Sequence, residues 1–290
     1  MTDKAQSAGR PDDRTTGRPD VSGVAHSGYS ALWHLHTWRC NHACGDAIDF
    51  VAAAVAGGVL DIGISDHGPF PDGRWQEVRM RSEEVDDYLA AIQAAQDAFP
   101  QARVRRGFEY EWLPEMTGWY DELLGRYQLD YLIGACHYIP VQGRWTSAFD
   151  LLTEPGHLTA FVRQTQDTIR SGRFAFIAHP DILGNSFSKW TPEVAAAAED
   201  ICACAAAEDV PLEMNSYGLR KTPVAGRPGY PWKPFWEVAA RHGVRVVLSS
   251  DAHRPEDTCA GYADLAAWRD ELGLMEADLD LGSRPAASAG

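Results

Sequence analysis

Seven short apolar runs alternate along the chain with amphipathic stretches of helical length, and this alternation limits the fold more than any other feature. The runs are Ala31–His36, Leu60–Ser65, Arg103–Glu109, Leu129–His137, Phe174–His179, Val210–Asn215 and Val244–Asp251. Repeated strand–helix alternation without tandem antiparallel hairpins predicts a parallel α/β sheet. No glycine-rich nucleotide-binding loop follows any run, so a barrel is favoured over an open nucleotide-binding sheet.

The stretches between these runs supply the helices and the boundaries of the domain. The helical candidates are Asp46–Ala56, Ser82–Ala98, Gly118–Arg126, Gly156–Arg170, Pro192–Glu208, Lys233–His242 and Glu256–Leu272. Ser82 and Thr191 stand at N-cap positions, each followed by acidic residues in the first turn. Residues 1–28 are predicted to be a disordered leader and residues 282–290 a flexible tail. A single domain over residues 29–281 lies between them.

The charge balance and the absence of long apolar segments exclude several classes of partner. The net charge of −15 argues against a protein that binds nucleic acid through a broad basic face. No stretch has the ~18–20 apolar residues of a membrane helix, and the first residues lack the apolar core of a signal peptide. We therefore expect a cytoplasmic protein with neither a nucleic-acid nor a membrane partner, in which the six cysteines are reduced thiols.

The residues at the ends of the runs are the most informative about chemistry. Seven of the ten histidines stand at these ends or just beyond them, namely His34, His36, His42, His67, His137, His179 and His253. Carboxylates accompany them, among them Glu109 and Asp251. Alternate residues of a strand point to the same side, so two residues spaced as His34 and His36 can face one ion together. Barrels build their active sites at the carboxyl ends of their strands, so these residues predict one site there.

A lone histidine at a strand end is more often a hydrogen-bonded scaffold residue than a metal ligand. That interpretation is kept for His26, His157 and His242, which lie off the pattern. It fails for the set of seven, because imidazoles packed together without a cation would be poorly hydrogen-bonded and, once protonated, mutually repulsive. Imidazole nitrogen and carboxylate oxygen are donors suited to zinc, iron or manganese. The sequence therefore predicts a metal centre.

Taken in order, these motifs resemble those of the PHP (polymerase and histidinol phosphatase) family. They are His34-x-His36 with His42, Ser65-Asp66-His67, Gly107-Phe108-Glu109, the lone His137, His179-Pro180-Asp181 and Ser250-Asp251-Ala252-His253, and they span about Leu32 to Arg254. The resemblance implies a distorted seven-stranded (β/α)7 barrel, TIM-like, with the metal site at the C-terminal ends of the strands. It also implies three divalent metal ions, which are zinc, iron or manganese.

The resemblance also implies how the ligands divide among the three ions. The implied groups are His34, His36 and Asp251 with a bridging Glu109; Glu109 with His137 and His179; and His42, His67 and His253. Glu111 lies two residues after Glu109 on the same strand face and competes for the bridging role. Glu109 is preferred because it occupies the Gly-x-Glu position of the motif.

The activity implied by the resemblance is the metal-dependent hydrolysis of a phosphomonoester. Clustered divalent ions lower the pKa of a bridging water, so that hydroxide exists near neutral pH, and they neutralise charge on the phosphoryl oxygens. No serine or cysteine nucleophile is required. Asp251 and His253 are the candidate catalytic residues that move the proton to the departing alkoxide.

The segment from Glu213 to Lys221 resembles the one that marks the histidinol-phosphatase branch of the family. It implies L-histidinol phosphate, a small phosphorylated metabolite, as the substrate. Asn215, Arg220 and Lys221 are the candidate substrate-binding residues on the loop after the sixth strand. Arg220 is expected to fork onto phosphate oxygens, with Lys221 as a second positive charge.

The ammonium group and the imidazole of that substrate would need partners of their own. Asp66, Asp181 and Glu111 are the candidates for pairing with the ammonium, and an aromatic wall is expected to stack on the imidazole. Several tryptophans near the motif ends, Trp75 and Trp145 among them, could reshape the pocket for another phosphorylated amino alcohol or a larger ester.

Other functions stay open at this stage. One is a PHP-type phosphatase that acts on another small phosphorylated metabolite. Another is an amidohydrolase-like hydrolase, since barrels with His-x-His motifs also cleave C–N bonds, although no metal-bridging lysine stands at the end of a middle strand. A non-catalytic PHP module of the kind appended to polymerases is disfavoured, because the metal motifs are intact.

Overall fold

A curled sheet of six parallel strands forms the centre of the protein in a computed structural model, which describes residues 27–149, 151–221, 226–279 and 281. The strands of the chain are β1 (Asp61–Ile64), β2 (Arg103–Glu111), β3 (Tyr131–Ala135), β4 (Tyr138–Val141), β5 (Arg144–Ser147), β6 (Phe176–Ile177), β7 (Leu212–Asn215) and β8 (Val246–Ser249). The six-stranded sheet has the order β1-β2-β3-β6-β7-β8, and every neighbouring pair is parallel. The predicted parallel α/β sheet is therefore confirmed.

The first predicted run does not form a regular strand, so the described residues contain six parallel strands where seven were expected. Residues 31–36 make isolated bridges instead, from Leu32 to Ile62 of β1 and from Leu35 to Ala252 just after β8. The amide of Leu35 donates to the side-chain oxygen of Ser65 at 3.3 Å, which interrupts a backbone ladder with β1. The segment thus contacts both edges of the curled sheet.

The pair β4 and β5 is an antiparallel hairpin, which the sequence pattern did not predict. Tyr138 pairs with Ser147, and Val141 pairs with Arg144 across the turn. The two turn residues, Gln142 and Gly143, have φ angles of 50° and 76°. Positive φ at both positions suits the twist of a two-residue hairpin, and asparagine or aspartate usually precedes the glycine there. Glutamine in that place weakened the sequence signal.

The helices follow the predicted pattern with small differences at their ends. They are α1 (Ala47–Ala56), α2 (Val85–Ala98), α3 (Thr117–Gly125), α4 (His157–Arg170), α5 (Pro192–Ala207), α6 (Tyr217–Arg220), α7 (Lys233–Arg241) and α8 (Tyr262–Leu272). The short α6 was not predicted. The stretch predicted over Glu256–Leu272 is divided, because Gly261 adopts a φ of 78° before α8 begins.

The two predicted N-caps have different outcomes. Thr191 caps α5, since its hydroxyl accepts a hydrogen bond from the amide of Val194. Ser82 instead begins a 3-10 turn that precedes α2, and its N-cap residue is Arg81, whose amide donates to the Glu84 carboxylate at 2.8 Å. A carboxylate three residues into the turn thus satisfies the exposed amide in place of the serine hydroxyl.

The sheet is apolar on both faces, as a parallel sheet with helices outside and a packed interior requires. Leu132 of β3 packs in the larger core against the helices, whereas its neighbours Tyr131 and Ile133 face a second cluster with Trp33 and Phe176. Leu279 and Leu281 pack against that second cluster from the C-terminal segment. No helix among the described residues is long and apolar enough to cross a bilayer. The leader and tail predicted at the two ends lie outside the described residues, apart from residues 27 and 28.

Candidate metal centre

The predicted ligands gather at the carboxyl ends of the parallel strands. Glu109 lies near the end of β2, and His137, His179 and Asp251 each stand two residues after the ends of β3, β6 and β8. Parallel strands end at the same edge, so the topology alone brings these side chains together. They surround a cavity of about 330 Å³. Seven of the nine predicted ligands line it, and these are His42, His67, Glu109, His137, His179, Asp251 and His253.

Nitrogen and oxygen donors of the cluster fall into groups whose atoms lie within 4.8 Å of one another. Three of these groups are His34, His36 and Asp251; Glu109, His137 and His179; and His42, His67 and His253. They coincide with the three groups that the family resemblance implied. A further group joins His36 and His67 to Glu109, so this carboxylate lies at the centre of the cluster.

The donor atoms inside the cluster are buried without hydrogen-bond partners. This is true of His34 Nε2, His36 Nε2, His67 Nδ1, Glu109 Oε1 and Asp251 Oδ1. Buried polar atoms are costly unless they are paired. Moreover, His42 Nε2 lies 3.1 Å from His253 Nε2, a contact in which two ligand lone pairs would face each other. A cation shared between these atoms would satisfy them, so the residues fit a cluster of divalent ions.

The opposite ring nitrogens are held by a second layer of acceptors. His34 Nδ1 lies 2.7 Å from Glu213 Oε1, and His137 Nδ1 lies 2.7 Å from Glu111 Oε1. His42 Nδ1 lies 2.7 Å from the carbonyl oxygen of Cys40. Such partners fix the tautomer, so that the other nitrogen presents its lone pair to the cavity. This arrangement is typical of metal-binding histidines.

Two carboxylates, Glu111 and Glu213, belong to this second layer; sequence reasoning gave Glu111 another role and missed Glu213. Glu111 sits behind His137 and forms a buried ion pair with Arg79, so Glu109 and not Glu111 occupies the centre of the cluster. Glu213, two residues before Asn215 on β7, also accepts from the amide of His179 at 2.9 Å. Glu213 and Asn215 are two residues apart and so share one face of the strand, which was the signal available in the sequence for a role of Glu213 at the site.

Burial and the neighbouring charges together set the protonation of the cluster. Burial alone would raise the pKa of Glu109, but the surrounding imidazoles, His34 foremost, hold that pKa well below its usual range. Burial lowers the pKa of His67 and His253 well below the ordinary value, which keeps these rings neutral. Glu109 is therefore ionised, and His67 and His253 are free bases, as metal ligands must be. Burial also disfavours the charged form of His34, His36 and His137, but neighbouring carboxylates outweigh it and raise their pKa values, to about 9 for His36 and His137. A bound cation would therefore replace a proton on these three rings.

Two of the predicted ligands have an unusual backbone conformation. His179 and Asp251 have φ angles of 29° and 46°. Positive φ is costly for residues other than glycine and persists where surrounding contacts fix it, often at functional sites. The Asp251 carboxylate is one such fixed group, because Asn215 Nδ2 donates to its Oδ2 at 2.9 Å.

The predicted substrate-binding residues are not equivalent in the structure. Asn215 is fully buried, and its Nδ2 donates hydrogen bonds to Glu213 and Asp251, so it orients these two carboxylates. Arg220 does not line the cavity, and its guanidinium donates to the Ser216 hydroxyl at 2.9 Å and the Ser250 carbonyl at 2.6 Å. Lys221 does line the cavity, with its Nζ 4.1 Å from the centre of the Tyr217 ring.

The three carboxylates expected to meet a substrate ammonium are engaged elsewhere, which corrects that expectation. Asp66 accepts from the Thr37 amide at 3.1 Å and from the Thr37 hydroxyl. Asp181 accepts from the Trp232 amide at 2.6 Å and from the Trp236 indole at 2.8 Å. Glu111 pairs with Arg79, and none of the three lines the cavity. Each is buried, and its hydrogen bonds hold the loops of the site.

Sequence reasoning also missed Arg79 and, although it expected an aromatic wall, did not assign the rings that form it. Arg79 is buried and lines the cavity, donating from Nη1 to the carbonyls of Gly68 and Glu109 at 3.2 and 3.3 Å. It belongs to a loop and follows no strand, so the pattern of strand ends carried no signal for it. Four aromatic rings complete the wall, from Tyr138, Phe149, Tyr217 and Tyr230.

Comparisons with known proteins agree with this geometry. Residues 33–217 match the model of the PHP domain. The chain is 33% identical over 238 residues to a protein of Deinococcus radiodurans named "probable histidinol-phosphatase", covering 80% of this chain and 89% of that one. A Schizosaccharomyces pombe protein of the same name is 23% identical over 266 residues, which is 83% of this chain and 86% of that one. The crystal structure of a Lactococcus lactis histidinol phosphate phosphatase, complexed with zinc, L-histidinol and phosphate, superimposes with a TM-score of 0.67 at 14% identity, covering 85% of this chain and 95% of that chain.

Proposed function

Because the chain belongs to the PHP domain family, we propose that it is a metal-dependent phosphomonoester hydrolase whose substrate is L-histidinol phosphate. The relative at 33% identity carries the histidinol-phosphatase name and is covered over 89% of its length. The observation that most supports the reaction is the set of unpartnered imidazole and carboxylate donors beneath a cavity of about 330 Å³. Hydrolysis of L-histidinol phosphate would yield L-histidinol and phosphate.

In this proposal three divalent ions, zinc, iron or manganese, are held by the nine clustered residues. The three ligand groups are those described above, with Glu109 shared between the first and the second. When bound, such ions supply an activated water near neutral pH and neutralise the phosphoryl oxygens. The segment at residues 31–36 closes the barrel as an irregular seventh strand through its bridges to β1 and to Ala252. That closure brings His34 and His36 to the other ligands.

The remaining residues of the cavity bind the substrate and handle its proton. The ammonium of Lys221 approaches the phosphate from the cavity wall, where Tyr217 and Tyr230 hold it. Asp251 and His253 both line the cavity and are the proposed groups that pass a proton to the oxygen of the departing alcohol. Asn215 supports this step indirectly, because its amide keeps Asp251 Oδ1 turned toward the cluster.

The proposed activity predicts phosphate release from L-histidinol phosphate that depends on bound metal. Treatment with a chelator should lower the rate below detection, and readdition of zinc, iron or manganese should restore it. The measurement is inorganic phosphate released per enzyme, with simple amides and lactones assayed in parallel. Metal-independent release, or hydrolysis of the amides and lactones alone, would contradict the proposed reaction.

Weakening the second layer should reduce metal affinity without removing a ligand. Glu213→Gln changes the acceptor at His34 Nδ1, and Glu111→Gln changes the one at His137 Nδ1. Loss of such a partner typically costs about 10- to 100-fold in metal affinity or activity. We expect losses of this size in zinc titrations with a competing chelator.

A matched control for these two variants is available on the outer helices. Glu199 on α5 also binds a histidine, His242, with 2.6 Å between the two side chains, and lies outside the cavity. Glu199→Gln should leave metal affinity unchanged. Equal losses in all three variants would indicate general destabilisation and contradict the orienting role.

A further inference from the structure

The cavity wall above the ligand cluster is largely aromatic. Tyr138, Phe149, Tyr217 and Tyr230 all contribute to it. Within the described ranges 27–149, 151–221 and 226–279, the only carboxylates on the cavity surface are Glu109 and Asp251, both of them proposed metal ligands. Of the seven described residues that line the cavity and are not proposed metal ligands, four are aromatic.

Two of the four rings, those of Tyr217 and Tyr230, make the nearest contacts with Lys221. Tyr217 stacks on His253 with 4.8 Å between ring centroids, and the Nζ of Lys221 lies 4.1 Å from its centre. Tyr230 Oη lies 3.5 Å from the same Nζ. These two rings make the nearest contacts with Lys221, on the proposed phosphate side, while the centre of the Phe149 ring lies 5.4 Å from the same Nζ. Tyr138 and Phe149, which we name the hairpin ring pair, remain for the rest of the substrate.

The hairpin holds this pair at a fixed distance from the ligands. Tyr138 begins β4 directly after His137, and it pairs with Ser147 of β5. The amide of Ala148 donates to the His137 carbonyl at 2.8 Å, and the amide of Phe149 donates to the Ser147 hydroxyl at 3.3 Å. Both rings are thereby fixed to the backbone of a metal ligand. A group bound between the pair and the cluster would keep a set distance from the reacting phosphate.

Each ring of the pair is also supported by another ring. Trp75 stacks on Tyr138 with centroids 4.2 Å apart and planes inclined by 5°, and Trp145 contacts Trp75 edge-on at 5.7 Å. Phe149 stacks on His137 at 5.4 Å and 17°. Rings held in this way lose little conformational entropy when a ligand binds. Such a surface suits a planar aromatic group.

We propose that the hairpin ring pair binds the imidazole of the departing alcohol, so that the enzyme selects its substrate by the ring and not by the ammonium group. This inference rests on the proposed function and specifies how that site discriminates. The imidazole is planar and stacks on aromatic faces, whereas the ammonium finds no free carboxylate among the described residues of the cavity. Tyr138 and Phe149 are thus specificity-determining residues.

Three phosphate esters separate the two kinds of recognition. They are L-histidinol phosphate, 3-(imidazol-4-yl)propyl phosphate, which lacks the ammonium, and 2-aminopropyl phosphate, which lacks the ring. With metal-loaded enzyme, removing the ring should lower kcat/KM by about tenfold or more, a loss of the size expected for a stacked and buried ring. Removing the ammonium should lower it less than about threefold, since no charged partner is lost.

Variants test whether the hairpin ring pair is responsible. Tyr138→Leu and Phe149→Leu should each reduce the preference for L-histidinol phosphate over 2-aminopropyl phosphate, and Phe149→Tyr should retain it. Tyr127→Leu is the matched control, because Tyr127 lies outside the cavity and should leave the preference unchanged. Metal content is measured throughout, since Phe149 touches the ligand His137.

Binding of the free alcohols distinguishes failure of this inference from failure of the proposed reaction. Calorimetry with L-histidinol and 2-aminopropanol should show tighter binding of L-histidinol, which Tyr138→Leu weakens. If no ester releases phosphate but this binding pattern holds, the proposed reaction falls and the ring assignment stands. Equal kcat/KM for the esters with and without the ring, or a loss above about tenfold on removing the ammonium, would overturn the ring assignment alone.

Discussion

Replacing Glu109 with alanine is expected to remove the bound metal and the phosphatase activity together. The two oxygens of this carboxylate lie within 3.5 Å of nitrogens from five histidines. Its loss removes a shared ligand and leaves those imidazoles without their central negative charge. Activity should fall at least about a thousandfold, because several kcal/mol of transition-state charge stabilisation depends on the metals. Elemental analysis of the purified variant measures the metal directly.

Wild-type protein provides the reference and should carry roughly two to three equivalents of zinc, iron or manganese per chain. His34→Ala should behave as Glu109→Ala does, since His34 Nε2 lies 3.2 Å from Glu109 Oε2. His242→Ala is the matched control, because this histidine follows α7 and binds Glu199 outside the cavity. Less than one equivalent of transition metal in fully active wild-type protein would contradict the metal centre.

Glu109 is buried, so its replacement by alanine could lower metal content through misfolding alone, and a second variant separates the two effects. Glu109→Gln keeps the shape of the side chain and removes its charge, so the fold should persist while metal affinity falls. Thermal unfolding in the presence of chelator compares the two proteins without their metals. A folded Glu109→Gln protein with wild-type metal content and activity would remove Glu109 from the centre.

Lys221→Ala is expected to lower kcat/KM by about 10- to 150-fold, which corresponds to the roughly 1.5–3 kcal/mol of a hydrogen bond to a charged group. Its Nζ is held in the cavity beside the rings of Tyr217, Phe149 and Tyr230. Metal content should stay at the wild-type level, because no metal ligand changes. Steady-state kinetics with L-histidinol phosphate, together with elemental analysis, test this expectation.

Two other basic residues show whether the effect belongs to Lys221. Lys189 is exposed and outside the cavity, so Lys189→Ala should match the wild type. Arg220 donates to the carbonyl of Ser250, directly before Asp251, so Arg220→Ala should weaken metal retention along with the rate. A raised KM with normal metal in Arg220→Ala, and no change in Lys221→Ala, would return the phosphate-binding role to Arg220.

The pH dependence of kcat/KM is a further test of the role of Lys221. Burial of the amine lowers the pKa of Lys221, and the neighbouring Arg220 adds to this while Asp251 opposes it. A lysine with a lowered pKa loses its charge at a lower pH than usual, so kcat/KM should decline early on the alkaline side. In Lys221→Arg the decline should move to higher pH, since an arginine keeps its proton. If kcat/KM declines at the same alkaline pH in both proteins, the decline belongs to a group other than Lys221.

Much of the fold and the ligand set followed from local features of the sequence. Apolar runs of strand length, separated by amphipathic stretches, predicted a parallel sheet, and six of the seven runs are strands of that sheet. Residues placed just after parallel strands must meet at one edge whatever the details of packing. The grouping of Glu109 with His137 and His179 in space is a consequence of this rule. Strand position was therefore sufficient to find the cluster.

The roles of residues off the strand ends depended on contacts between distant parts of the chain. In the sequence, Asp66 and Asp181 both looked like carboxylates free to meet the substrate. In the structure, Asp66 accepts a hydrogen bond from Thr37, and Asp181 accepts hydrogen bonds from Trp232 and Trp236. Arg220 and Lys221 are adjacent in sequence, and only Lys221 reaches the cavity. Side-chain direction at the end of the short α6 separates them, and no periodicity in the sequence encodes that direction.

The aromatic wall shows the same division between sequence and tertiary structure. Trp75 lies in a loop after β1, Tyr138 begins β4 and Phe149 follows β5. The sequence predicted an aromatic wall but not which rings form it. The β4–β5 hairpin and the stack of Trp75 on Tyr138 bring them together over the ligands. The sequence by itself determined which donors gather at the cluster, because most of them stand at or just after strand ends, and parallel strands end at one edge. Only the tertiary structure decided which groups are free to meet the substrate, because a side chain is free or engaged according to partners that lie far away in the chain.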